Sequence, residues 1–198
     1  MDFASLAPLQ GGWSGETFVA EAAGTRQVVR IHARRPERAE VDAALLTLVR
    51  GLLPVPQVLE VRRPAGELPA LLVTSFLPGE RGDLLLPRLG GDAMATLGRN
   101  VGDLAAILGG MPWPRAGAFV DGDLDVAAWD LPDGLAGFAA AADLPHWTDA
   151  ERAGLARVAE SAQDLLDTVD RTCLVHSDLN PKNLLVDTDT LEVTGLVD

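Results

Sequence analysis

The residues best suited to chemistry lie together near the C-terminal end of the chain. From Leu174 the sequence reads LVHSDLNPKNLLV, then an acidic turn, then LEVTGLVD up to Asp198. A short apolar run enters a polar loop holding His176, Asp178 and Asn183. A second apolar run leaves it, and a further strand-like run ends in Asp198. Phosphoryl transfer asks little covalent chemistry of a protein. It needs a carboxylate to orient the attacking hydroxyl and oxygen ligands for the magnesium that bridges the phosphates. Asp178 suits the first task, and Asn183 with Asp198 suits the second, presented from two adjacent strand ends. Asp and Asn are also common turn formers, but apolar runs on both sides and the downstream Asp favour the chemical reading.

Stepping N-terminally, the elements that must position such a loop are legible in outline. Strands are expected at Leu6 to Leu9, Glu16 to Ala20 and Gln27 to His32, with Gly11, Gly12 and Gly15 interrupting the first pair and Ala23-Gly24 turning the second. Glycines at such a turn let the backbone approach phosphate oxygens and offer N–H donors, and the Ser14 hydroxyl adds another. The segment is neither a Walker A motif nor a dinucleotide fingerprint. In QVVRIH, alternation puts Val28, Arg30 and His32 on one strand face and Val29 and Ile31 on the other. Pro36 and Glu37 suit a helix start, and Val41, Leu45, Leu48 and Leu52 give that helix an apolar stripe ending near Gly51. LPVPQVLEV and Ala70 to Ser75 read as two more strands, and Leu77-Pro78-Gly79 breaks the pattern. Beyond it, Asp92 can cap a helix bearing Met94, Leu97, Val101, Leu104 and Leu108, which stops at Gly109-Gly110. Thr148 and Glu151 form a capping box for another helix, lined by Leu155, Val158, Leu165 and Val169.

The spacing H-x-D-x-x-x-x-N resembles the catalytic loop of protein kinases, with Asp198 at that fold's second metal ligand. Pro181 before the Asn, and VTGLVD at the metal strand, look more like the aminoglycoside phosphotransferase and choline kinase family. The resemblance covers nearly the whole chain. It implies an α+β, protein-kinase-like bilobal fold, with a small β-rich N-lobe over residues 1–77 and a mainly helical, incomplete C-lobe over 78–198. It implies ATP and Mg2+ as cofactors and a small hydroxylated acceptor such as an aminoglycoside, a macrolide, a choline-like alcohol or a sugar. Asp178 would be the catalytic carboxylate, with His176 holding the loop, and Asn183 and Asp198 would be the metal ligands. Gly12, Ser14 and Gly15 would form the phosphate loop, and Arg30 would stand where protein kinases keep a lysine, since the sole lysine is Lys182. Val28 would line the adenine pocket. Both Glu40 and Asp42 flank Val41, and the match of DAALL to the family phrase EAALL favours Asp42 as the acidic partner of Arg30. Backbone groups of Ser75 and Leu77 would meet the adenine edge, with Leu185 as the pocket floor. Ser177, Asn180 and Lys182 depart from the family's frequent HGDLHPGN.

Composition narrows the alternatives. A net charge of −13 argues against nucleic acid and favours a cationic substrate. No apolar run has the length of a membrane helix, and MDFASLAPLQ has no basic segment before an apolar stretch, so a cytoplasmic protein is expected. Cys173 stands alone in the apolar approach to the loop, where a buried, inert thiol is expected. Asp121, Asp123 and Asp125 open like a calcium loop, but Val126 stands where Gly is needed and Pro132 where Glu is needed. Calcium is therefore rejected, and these acids become candidates to face a cationic acceptor. A nucleotide-binding module without catalysis and a protein kinase are the competing functions. Asp198 closes the sequence where relatives continue through further helices, so the 198 residues are expected to be a fragment with little or no kinase activity alone.

Overall fold

A computed structural model describes residues 5–9, 16–22, 24–128 and 133–197. Strands β1 (Ser5–Pro8), β2 (Glu16–Ala22), β3 (Thr25–His32), β4 (Val58–Arg62) and β5 (Ala70–Ser75) form an antiparallel sheet in the order β1-β2-β3-β5-β4. Gly24, at φ 76°, turns β2 into β3. Cross-strand partners share a face, so Val29 lies with Phe18 and Val73 while Arg30 lies with Thr17 and Leu72. Ala20, Val29 and Val73, backed by Leu71, make one buried patch. On the other face, helix α1 (Arg38–Val49) packs over β4 and β5.

Helix α1 departs from the expected stripe. Ala39, Val41, Ala43 and Val49 are its buried residues, whereas Leu48 is exposed and Leu52 lies beyond the helix, 55% exposed. Val41 is buried as the stripe requires, and Leu45 packs half-buried against the core that holds Val49 and Leu53. Gly51, at φ 85°, follows its end.

After β5 come β6 (Glu80–Arg81), α2 (Gly82–Leu85) and a 3-10 turn at Leu86–Arg88. Helix α3 (Gly91–Gly109) follows, and its N-cap is Gly90 rather than Asp92, which sits in the first turn without a side-chain cap bond. The segment after α3 holds β7 (Pro112–Trp113), β8 (Gly117–Phe119), β9 (Val126–Ala128) and α4 (Gly134–Ala141), none anticipated from the sequence. Helix α5 (Asp149–Asp167) has the expected capping box, with Glu151 N–H donating to the Thr148 hydroxyl and Thr148 N–H donating to the Glu151 carboxylate at 2.7 Å. Those bonds hold the Glu151 carboxyl below the usual carboxylate range. Val158, Leu165 and Val169 of the expected stripe are exposed. Strand β10 (Thr172–Cys173) pairs with β7. Cys173 is exposed, contrary to the buried thiol expected, because the chain there runs along a two-stranded edge.

Strands β11 (Leu184–Val186) and β12 (Val193–Leu196) then form a hairpin that β6 joins at β11. Leu85, Leu97, Leu108, Leu174, Leu184, Val186 and Leu196 meet Val49 and Leu53 in one core. Burying each such side chain stabilises by roughly 1.5–3 kcal/mol, so the core fixes both flanks of the polar loop between Leu174 and Leu184.

The chain divides into two compact units. One comprises Met1–Met111, Phe119–Asp125 and Leu174–Asp198, and the other Pro112–Ala118 and Val126–Cys173. Within the second, α4 and α5 pack together. Gln163 on α5 accepts from Leu135 N–H at 2.8 Å, and the Arg152 guanidinium donates to the Leu144 and Trp147 carbonyls. No helix among the described residues is long and apolar enough to cross a membrane.

Candidate active site

The loop between Val175 and Leu184 is built almost wholly by its own side chains. Ser177 takes a left-handed conformation, φ 62°, which turns the chain sharply before Asp178. Asn180 caps a 3-10 turn at Pro181–Asn183, its side-chain oxygen accepting from Lys182 N–H at 2.9 Å. Asn183 is buried, and its Nδ2 donates to the Asp178 carbonyl at 3.0 Å and to the Asp178 carboxylate at 3.1 Å. The other carboxylate oxygen accepts from Asn180 Nδ2 at 2.7 Å. Asp178 is therefore exposed but oriented, one amide donor on each oxygen. With Nδ2 committed to Asp178, the Asn183 amide presents its Oδ1 elsewhere, and an amide oxygen is a donor that magnesium accepts.

The strand that leads to Asp198 runs beside the loop. Val197 N–H donates to the Asn183 carbonyl at 2.9 Å, and Leu196 N–H donates to the Pro54 carbonyl at 2.8 Å. The end of β12 thus runs beside Asn183. Asp198, the next residue, lies outside the described residues, as do Gly12, Ser14 and Gly15 of the glycine segment. Among the described residues, no three His, Cys, Asp or Glu side chains gather as a metal site. His176 is half-buried two residues before Asp178.

On the sheet, Arg30 and the buried His32 face Asp42 of α1, at 3.9 Å and 3.8 Å. Glu40 turns instead to Arg63 at 2.6 Å, so geometry selects Asp42 between the two acids. Arg38, one helical turn before Asp42, takes its other oxygen at 2.8 Å. This second cation was missed in the sequence, although its i, i+4 spacing was a usable signal. Val28 lies on the same face as Arg30, opposite Val19 and Thr74.

Ser75 N–H donates to the Gln57 carbonyl at 2.8 Å, and Gln57 N–H donates to the Ser75 hydroxyl at 2.9 Å, which ties the end of β5 to the segment before β4. Leu77 and Leu185 come together over a glycine. A Cβ on the buried Gly195 would lie 2.9 Å from Leu185 Cδ1 and 3.1 Å from Leu77 Cδ1. The expected hinge and floor residues therefore share one apolar patch. Thr194 fastens the hinge turn by donating its hydroxyl to the Pro78 carbonyl at 2.6 Å.

A further group beside the loop was not foreseen. Arg81 grips both carboxylate oxygens of Asp83, at 2.6 and 2.9 Å, while Gly82 between them lies against Pro181. The Arg81 hydrogen bonds hold the Asp83 carboxyl below the usual range, and the charge of Lys182 acts in the same direction. Lys182 thus has an acidic neighbour in α2. The acids at 121–125 close on themselves, with Asp121 Oδ1 accepting from the Asp123 and Asp125 amides at 3.0 and 3.1 Å.

A β sheet with one packed helix, followed by a helical region and a polar loop carrying paired Asp and Asn, defines a kinase-like α+β protein. Residues 5–198 match the model of the phosphotransferase enzyme family, and the chain belongs to that family. Solved structures agree on the fold. Aminoglycoside phosphotransferase APH(4)-Ia is 17% identical with a TM-score of 0.67, over 100% of this chain and 66% of that one. A thermostable mutant of the same protein, solved with ADP and hygromycin B, gives 17% identity and 0.66 over the same shares. The GDP and kanamycin complex of APH(2")-IIIa gives 18% and 0.72, over 100% of this chain and 67% of that one. The chain thus spans about 66% of the length of the first of these structures. No individual curated protein matches the chain in sequence.

Proposed function

We propose that this site transfers the γ-phosphate of ATP to a hydroxyl of a small molecule. The observation that carries the reading is the doubly held Asp178 carboxylate with Asn183 beside it. Asp178 orients the acceptor hydroxyl and receives its proton as the oxygen bonds to the γ-phosphorus. The bond from that phosphorus to the bridging oxygen breaks, and ADP leaves. Asn183 Oδ1 and Asp198 would hold Mg2+, which when bound neutralises charge on the phosphates. Arg30, steadied by Asp42, would grip phosphate oxygens through two parallel N–H groups, and the backbone of Gly12, Ser14 and Gly15 would add donors. Val28, Leu77 and Leu185 would enclose the adenine, with Ser75 at its edge. His176 would hold the loop.

In this reading residues 1–77 act as the nucleotide lobe and 78–198 as the lobe that carries the loop. The acceptor would be a hydroxylated and preferably cationic molecule, matching the net charge of −13. Aminoglycosides come first among candidates because hygromycin B and kanamycin occupy the similar structures. Macrolides, choline-like alcohols and sugars follow. A cytoplasmic setting, where ATP is abundant, agrees with a single cysteine. Incubating the protein with γ-labelled ATP, Mg2+ and a panel of these acceptors tests the reading. Label in an acceptor supports it, whereas tight nucleotide binding without transfer to any acceptor or to water makes the chain a binding module.

A further inference from the structure

Asn180 makes more bonds than a loop residue needs. Its Oδ1 accepts from Lys182 N–H at 2.9 Å, its Nδ2 donates to Asp178 Oδ1 at 2.7 Å and to the Asp178 carbonyl at 3.2 Å, and its carbonyl accepts from Asn183 N–H at 3.0 Å. One side chain therefore joins the cap of the Pro181–Asn183 turn to the carboxylate that faces the acceptor. We propose that Asn180 is a positioning residue for Asp178, setting the carboxylate plane on one side as Asn183 sets it on the other. The role rests on the phosphotransferase reading; the contact itself does not.

The chemistry at position 180 is narrow. The site needs an acceptor for Lys182 N–H and a donor for Asp178 on one short side chain, and a carboxamide supplies both. Aspartate keeps the acceptor, and with it the cap, but sets a second carboxylate where the donor stood. Serine caps well but is too short to span both contacts. The two functions of Asn180 can thus be separated by substitution. Without the Asn180 donor, Asp178 keeps, among the described residues, the side-chain hydrogen bond from Asn183 and can swing about its own χ2. The Asn183 amide also bonds the Asp178 carbonyl, so the backbone of the loop stays anchored when Asn180 is changed.

Two measurements test the proposal. In the 15N-labelled chain, the side-chain amide signals of Asn180 are compared between the wild type and Asp178→Ala. They should move, because the substitution removes the carboxylate acceptor, and unmoved signals would overturn the contact. Steady-state transfer is then compared for the wild type, Asn180→Asp and Asn180→Ser, with thermal unfolding as control. Asn180→Asp, whose new carboxylate meets that of Asp178, should melt below the wild type, whereas Asn180→Ser keeps the cap without added charge and should melt with the wild type and keep its KM for nucleotide. Its kcat should fall roughly 10–100-fold, the range seen when an outer partner of a functional ligand is removed. Wild-type kcat in Asn180→Ser would overturn the positioning role even if the amide signals move. If neither the 198 residues nor a C-terminally longer chain carrying the same loop transfers phosphate, while the amide signals move, the phosphotransferase reading is overturned and Asn180 is left a strut of the loop.

Discussion

Gly82→Ala puts the support of the loop that carries Asp178 under a direct test. A Cβ at this buried position would lie 2.8 Å from the Pro181 carbonyl oxygen and 3.5 Å from Leu184 Cβ. Ordinary contact begins near 3.4 Å, so the methyl is short of room by about 0.6 Å. The obstacle is a backbone atom, which has no rotamer to retreat into, so α2 and the Pro181–Asn183 turn must move apart. Overpacking of this kind costs about 1–3 kcal/mol. Replacing a helical glycine returns roughly 0.5–1 kcal/mol, leaving a net loss of up to about 2.5 kcal/mol. The turn carries Asn183 and Asn180, which hold Asp178. A shift near 1 Å at reacting groups costs about 100-fold, so turnover should fall roughly tenfold or more. Urea unfolding should show a lower midpoint at unchanged slope, and phosphoryl transfer should report the loss. If Gly82→Ala unfolds at the wild-type midpoint and turns over at the wild-type rate, the close packing of α2 on the loop is refuted.

Other expectations follow from single contacts. Arg30→Ala should weaken ATP binding or turnover sharply, while Lys182→Ala, on an exposed side chain near Asp83, should be milder; calorimetric titration of both variants checks this, and equal small effects would place the phosphate cation elsewhere. Thr148→Ala should destabilise by about 1 kcal/mol through loss of the N-cap, read by denaturant unfolding. The folded Glu151 carboxyl is depressed by its bonds to Thr148, so its contribution is present above the unfolded value of about 4.3. That contribution is lost as pH falls through the lower folded value. The wild type should therefore lose stability over this acid range more steeply than Glu151→Gln, which has no carboxyl to titrate, because the largest part of the depression comes from the Thr148 backbone N–H.

What the sequence disclosed was local. The polar loop was legible as a candidate site because its histidine, aspartate and asparagine lie within a few positions, flanked by apolar runs that became buried Leu174 and Leu184. Strand alternation placed Arg30 and Val28 on one face, because a period of two survives any tertiary arrangement. The apolar stripe of α1 could not choose between Glu40 and Asp42, since both flank the buried Val41, whereas the folded chain pairs Glu40 with Arg63 and brings Asp42 to Arg30. The α1 stripe held at Val41 and Leu45 but not at Leu48 and Leu52, and the buried Ala39 and Ala43 were passed over because leucines outweigh alanines in a hydrophobic count. Gly82 carried no signal at all. Its partner Pro181 lies far along the chain, and only folded geometry brings a carbonyl oxygen within reach of the missing side chain. Cys173 sits in an apolar run that suggested burial, yet its strand has only two residues and pairs with only one neighbour.

The central claim is that Asp178 orients the acceptor hydroxyl. Single-turnover transfer from γ-labelled ATP, with the protein in excess so that slow rates register, measures it most directly in the wild type and in Asp178→Asn. The account predicts ATP affinity within about twofold of wild type and a chemical step slower by roughly 10²–10⁴. An Asp178→Asn protein that transfers phosphate at the wild-type rate would contradict it.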